Sequence, residues 1–201
     1  MKLISFEGCT GSGKTTLAYR LGDELGAVVV LESYDDIPTL NLVGRDPDTF
    51  GFSTAVEFTN AHAGYLKAAM AHPVVVTDFT MARDLLFAGL NFQNQPDSRD
   101  RYRQYWKKAT AQLPAPDYVV LLEAPPEVLL NRAATRGRPF EASLTVQTLA
   151  QMSRGFQQLY APGSVWGGAR LVERLDTTDF DRADREMPAL AQRIRKALGL
   201  S

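Results

Sequence analysis

Gly8-Cys9-Thr10-Gly11-Ser12-Gly13-Lys14-Thr15 decides the fold. Three glycines, a lysine and a hydroxyl residue at this spacing read as a phosphate-binding loop. A polyphosphate is held by main-chain N–H groups converging on it, and only a glycine-rich turn brings the backbone that close. Lys14 is placed to reach the β- and γ-phosphates, and the Thr15 hydroxyl to ligate Mg²⁺. The context fits. Leu3-Ile4-Ser5-Phe6 is an apolar run suited to a buried strand, and Leu17, Leu21 and Leu25 recur at helical spacing after the loop. Strand, glycine loop and helix is the order this mechanism needs, because the helix N-terminus adds its dipole to the anion site.

Working outward, apolar runs alternate with helical patterns. Strands are expected at residues 27–31, 73–77, 118–122 and 170–175, in addition to the one before the loop. Helices are expected at about 48–71, 81–92, 98–113, 126–135, 144–160 and 180–198, with an Asp- and Pro-rich loop after the second strand. This alternation predicts an α/β fold, a five-stranded parallel sheet covered by helices on both faces. The 201 residues fit a single domain, 1–201.

Hydrophobic residues make up 45%, ample for a core, and a net charge of −1 gives no general drive toward nucleic acid or an anionic membrane. The basic residues of the last helix are interleaved with acids and read as a solvated face. The single cysteine, Cys9, excludes an internal disulfide and suits a reducing compartment. No signal peptide and no run of transmembrane length is visible. A cytoplasmic location is the expectation.

Ligands of such sheets bind beyond the carboxyl ends of the strands. Glu32 follows the second strand and Asp78 the third, on the same edge as the loop. Asp78 is the candidate Mg²⁺ ligand together with Thr15, and Glu32 the candidate general base for an acceptor hydroxyl. Each could instead cap a backbone N–H. Arg132 and Arg136 share a helix face, Gly137 ends that helix and Arg138 follows. This segment, about 132–144, reads as a short arginine-bearing lid that closes over the transferring phosphoryl group, or else as a solvated basic helix end.

Together these residues resemble the deoxynucleoside kinase family over nearly the whole chain, within the wider class of P-loop kinases. Phe6-Glu7-Gly8, Gly11-Ser12-Gly13-Lys14-Thr15-Thr16, the spacing from Glu32 through Asp46-Pro47 to Phe58, Asp78 with Asp84, the Arg132 to Glu141 lid and Leu175 to Phe180 carry the likeness. The resemblance implies transfer of the γ-phosphoryl of ATP, or of another nucleoside triphosphate, to a deoxynucleoside 5′-hydroxyl with Mg²⁺. It also implies a homodimer, or a heterodimer with a paralogue. By the same likeness residues 8–16 and Asp176 border the donor, Lys14, Glu32, Arg132 and Arg136 serve the transfer, and Arg136 and Arg138 hold phosphates. Asp84 would meet the nucleobase and Glu141 the sugar 3′-hydroxyl, with Phe52, Ala55, His62 and Phe79 also at acceptor positions.

The departures lie at the acceptor end. Phe79 replaces an arginine and is set to pack or to stack on a base. Ala55 replaces a base-reading glutamine, Gly44 stands at a tyrosine, and His62 at another arginine. Arg83 is the candidate substitute for the arginine missing at 79. Tyr160 and Trp166 read as structural. A kinase for a nucleoside monophosphate or a small metabolite, and a nucleotide-binding regulatory subunit, are the alternatives.

Overall fold

The computed structural model describes residues 1–43, 46–164 and 167–200. Five strands, β1 (Lys2–Gly8), β2 (Val28–Val30), β3 (Val74–Thr77), β4 (Tyr118–Glu123) and β5 (Leu171–Asp176), form one sheet in the order β2-β3-β1-β4-β5. Every pairing is parallel. β1 runs two residues past its apolar stretch, through Glu7 to Gly8, and so delivers the glycine loop at the centre of the sheet edge.

Nine helices occur among the described residues: α1 (Lys14–Leu25), α2 (Leu40–Val43), α3 (Pro47–Ala69), α4 (Met81–Asn91), α5 (Pro96–Thr110), α6 (Pro126–Arg136), α7 (Val146–Leu159), α8 (Phe180–Arg185) and α9 (Met187–Leu198). Side-chain caps fix several starts. Asp46 accepts from the Thr49 N–H (3.1 Å), and the Thr80 side chain caps α4. The closing pattern at 180–198 is two helices rather than one. Pro188 has no N–H to give, and its ring would crowd the carbonyl of Asp184 in a continuous helix, so the chain re-starts at Met187 with the proline in the first turn. The Asp/Pro stretch after β2 carries a 3₁₀ turn (Tyr34–Asp36) and α2, not only loop.

Strand side chains alternate between the faces. Ile4, Phe6, Val76, Val120 and Leu122 meet Leu17 and Leu21 of α1 and Leu190 and Ile194 of α9. On the other face Leu3 and Val75 pack on Ala63 and Leu66 of α3. Val119 and Leu121 pack on Ala82 of α4 and Phe156 of α7. Burial on both faces is why β1, β3 and β4 are largely apolar runs, whereas the edge strand β5 is mostly exposed and carries Glu173 and Arg174. The sheet's carboxyl edge is left for chemistry.

Candidate active site

The glycine loop is wedged between α6 and α8. Gly11 (φ +81°) and Gly13 (φ +96°) sit in the left-handed region; a Cβ at Gly11 would lie 2.5 Å from the Leu129 carbonyl oxygen, and one at Gly13 2.3 Å from a Phe180 ring carbon. No side chain larger than hydrogen fits either place. Lys14 Nζ donates to the Gly8 and Cys9 carbonyls at 3.0 and 3.1 Å. Burial, helped by the nearby Arg83 charge, lowers its pKa. The first turn of α1 has no acidic residue, so its dipole is uncompensated on the loop side. The Ser12 hydroxyl is buried without a partner. Cys9 points inward, burial pushing its thiol up, so it serves the loop through its backbone.

Beside the loop, Thr15 Oγ1 donates to Asp78 Oδ2 at 2.6 Å, and Asp78 Oδ1 accepts the Glu32 N–H at 2.8 Å. A hydroxyl and a carboxylate, both hard oxygen donors, are thus adjacent at the edge between β1 and β3. This donor set fits Mg²⁺, which is usually held by one or two carboxylates with phosphate and water completing the shell.

A charged cluster lies behind. Glu32 Oε1 is 3.0 Å from His62 Nε2, and Glu32 Oε2 is 3.5 Å from Arg83 Nη1. His62 Nδ1 is 2.9 Å from Asp84 Oδ1. Arg83 also donates to the Asp78 carbonyl (3.2 Å) and faces Glu7 Oε2 (3.9 Å). Glu7 in turn accepts from the Thr80 N–H and hydroxyl, each at 2.8 Å. Burial opposes ionisation of Glu32, but the Arg83 guanidinium and the His62 ring outweigh it and hold the carboxyl well below the usual range. Burial alone would lower the His62 pKa; the Asp84 and Glu32 carboxylates raise it to about 9. At Glu7 burial wins over Arg83 and Lys14, and the pKa is raised.

The arginine-bearing segment expected as a lid is held by contacts of its own. Arg136 Nη2 meets Glu141 Oε1 at 2.5 Å, and Arg138 Nη1 lies 3.6 Å from the same oxygen. Arg138 also stands over the Tyr34 ring (4.5 Å), which Phe140 contacts from the lid (5.0 Å). Arg132 does not join them. Its Nη2 donates to the Thr177 carbonyl at 2.8 Å, its guanidinium lies over Phe180, and its Nη1 is buried without a partner. Asp176 shapes the same loop by accepting from Thr178 and Arg182.

Under the lid is a cavity of ≈ 250 Å³ that Thr10 of the glycine loop, Glu32, Ala55, Asp84 and Glu141 all line. Asp84 Oδ2 and Glu141 Oε2 are buried with no hydrogen-bond partner. Three residues expected at the acceptor do not line this cavity. Phe52 packs on Phe92 and Tyr102 between α3 and α5, off the cavity wall. Phe79 is fully buried, its ring stacked on His62 (4.3 Å, 12°) and its neighbours Leu3 and Leu66. His62 is 1% exposed, with both ring nitrogens taken by carboxylates. Gly44 and Trp166 lie outside the described residues, and Tyr160 is buried with its hydroxyl on Thr80 (2.8 Å). Sequence reasoning missed Tyr34, Phe87, Asn91 and Met152 on the cavity wall, and Glu7. A carboxylate ending an otherwise apolar strand was the available signal for Glu7.

The sequence model described as "dNK: Deoxynucleoside kinase" matches residues 4–198. A deoxyguanosine kinase from Bacillus subtilis is 26% identical over 77% of this chain and 76% of its own. One from Lactobacillus acidophilus is 28% identical over 93% of this chain and 87% of its own. A solved deoxyadenosine kinase from M. mycoides with bound dCTP superimposes with a TM-score of 0.80 at 17% identity, over 96% of this chain and 99% of that one. Among the described residues no helix is long and apolar enough to cross a membrane.

Proposed function

Because the chain belongs to the deoxynucleoside kinase family, we propose that it transfers the γ-phosphoryl group of ATP to the 5′-hydroxyl of a deoxynucleoside bound beneath the lid. That it is a phosphotransferase acting on deoxynucleosides follows from the family; the residue roles are our reading. The observation that carries it is one cavity reaching from the glycine loop at Thr10 to three carboxylates, Glu32, Asp84 and Glu141. Two of those carboxylates keep a buried oxygen with nothing to accept from. Such an oxygen is costly unless a ligand donor completes it. Sugar hydroxyls and base N–H groups are donors of that kind.

In this reading the loop N–H groups, the α1 N-terminus and Lys14 hold the donor phosphates, while Thr15 and Asp78 hold Mg²⁺, which neutralises charge on the phosphates. The lid arginines Arg136 and Arg138 would leave Glu141 in part to meet phosphate, and Arg132 already stands at the loop that borders the donor. Glu32 accepts a hydrogen bond from the 5′-hydroxyl and aligns its oxygen on the γ-phosphorus. As the new O–P bond forms, the bond to the β–γ bridging oxygen breaks, the hydroxyl proton passes to Glu32, and the nucleoside diphosphate leaves. A carboxylate held ionised by two cations is a weak base toward a free alcohol. It suffices here because a loose phosphoryl-transfer transition state loses the proton late, when the attacking oxygen has become acidic. The closed lid keeps water from competing as acceptor. Asp84 would accept from the nucleobase and Glu141 from the 3′-hydroxyl. With the glutamine replaced by Ala55, base selection falls to Asp84 and the surrounding wall. The homodimer is carried by the resemblance.

A radiolabelled γ-phosphoryl transfer screen tests this. Purified protein with ATP and Mg²⁺ should label at least one of the four deoxynucleosides at its 5′-hydroxyl. Label on monophosphates alone, or on no acceptor while ATP still binds, would overturn it.

A further inference from the structure

His62 sits in α3, behind the cavity wall, and touches both carboxylates that the acceptor would meet at opposite ends. Its Nε2 is 3.0 Å from Glu32 Oε1 and its Nδ1 2.9 Å from Asp84 Oδ1. A neutral imidazole has one N–H and one lone pair, and a lone pair facing a carboxylate oxygen is repelled. Two carboxylate neighbours therefore require both nitrogens to donate, which makes the ring a cation. The other groups around it are consistent. From its own helix Phe58 and Tyr65 pack against the ring, and Phe79, after β3, stacks flat on it at 4.3 Å. The remaining nearby charges reach it through its partners: Arg83 on Glu32 Oε2, Glu7 on Arg83, and Lys14 from α1.

We propose that His62 is a positioning residue that fixes Glu32 and Asp84 relative to each other, so that recognition of the nucleobase and alignment of the 5′-hydroxyl become one event. The proposal rests on the function reading above for the roles of those two carboxylates. It explains two departures from the family pattern together. An arginine at position 79 would set a second cation where the Phe79 ring now lies against the imidazolium. Phenylalanine removes that repulsion, and Arg83, one turn further along, supplies the charge to Glu32 instead. His62 and Phe79 are thus one replacement, made on two elements, rather than two independent losses.

The arrangement predicts energetic coupling between His62 and the carboxylates it joins, Glu32 and Asp84. His62→Gln keeps an amide NH₂, but both of its N–H groups sit on one nitrogen, so it cannot span the two carboxylates as the ring does. It should lower kcat and raise the acceptor KM, each by about tenfold, while the KM for ATP stays as in the wild type. In an Asp84→Asn background the same substitution should cost much less than it does alone, because one anchor of the bridge is already gone. ATP binding measured by calorimetry reports on the fold of each variant, since the groups that touch the ring (Glu32, Asp84, Phe58, Tyr65 and Phe79) lie outside β1, the glycine loop and α1. A folded His62→Gln protein with unchanged kcat and acceptor KM would overturn the proposal, and so would additive effects of the two substitutions. A readout independent of turnover separates this from failure of the function reading. Nitrogen-15 NMR of the His62 ring in the ligand-free protein at neutral pH should show both nitrogens protonated, and Asp84→Asn should weaken that signature. A ring with a single protonated nitrogen sinks the bridge, whatever the transfer screen returns.

Discussion

At the scale of single residues, charge placement does most of the work. Lys14 is folded onto the Gly8 and Cys9 carbonyls at the carboxyl end of the sheet. Lys14→Ala should therefore leave the melting temperature within a few degrees of wild type and reduce kcat/KM by about 10²-fold or more, the scale of losing one transition-state charge partner. Steady-state kinetics alongside a thermal melt checks it. Glu32→Gln should lower kcat by about 10²-fold, and a rate close to wild type would move proton acceptance to another group. The pH dependence of stability carries a distinct sign. His62 has a folded pKa of about 9, above its usual value. Its contribution is fully present below about pH 6.5 and is lost as pH rises through about 9. Glu32 is shifted the other way, so its contribution is present above about pH 4.3 and is lost as pH falls. The wild-type melting temperature should therefore decline as pH rises from about 6.5 to 9, and His62→Gln should flatten that decline. At this scale the sequence was legible where a motif dictates a backbone shape, as at Gly11 and Gly13. It was less legible where a side chain's partner comes from another element. Arg83 can be named from sequence as a substitute for the arginine missing at 79, but that it turns toward both Glu32 and Glu7 depends on α4, the end of β2 and β1 meeting in three dimensions.

At the scale of elements, ends are set by short-range chemistry and angles by packing. α7 begins with a reciprocal pair in which Thr145 accepts the Thr148 N–H (3.1 Å) and Thr148 accepts the Thr145 N–H (2.9 Å). Thr145→Ala removes one of these caps, and denaturant unfolding should show a loss of about 1 kcal/mol with an unchanged m-value. Because α7 lies beside the cavity through Met152, the acceptor KM should rise slightly with it. The central strands and the long helices were legible from apolar runs and helical spacing, since β1, β3 and β4 are buried on both faces. The break between α8 and α9 was not taken from Pro188, although a proline inside a helical pattern is the physical reason for it. The arginine-bearing segment was legible in sequence, but its contacts were not. Its Gly137 and arginines are visible in sequence, while the latch onto Glu141 and Tyr34 depends on how far the 3₁₀ turn at Pro139–Glu141 reaches over the cavity.

At the scale of the molecule, the proposed donor site would join β1, α1, α6 and α8, so nucleotide occupancy should stabilise the whole fold. ATP with Mg²⁺ at about one hundred times its Kd should add about 2.7 kcal/mol to unfolding; the corresponding rise in melting temperature should shrink when Mg²⁺ is chelated and vanish in Lys14→Ala. Parallel order and a covered sheet were legible from the alternation of elements, whereas the strand order was not, because any of several crossovers fits the same pattern. That order has a consequence for how the chain is made. β1 lies between β3 and β4, so the first strand synthesised has no hydrogen-bonded neighbour until residues 74–77 have emerged, and lacks its second until residues 118–122 follow. During translation Gly8 to Thr15 must wait, attached to a strand with an open edge, while more than half of the chain is added. Nascent chains arrested before β4 clears the ribosome should therefore fail to retain a fluorescent ATP analogue. The glycine loop, first in sequence, is among the last features of the molecule to become a site.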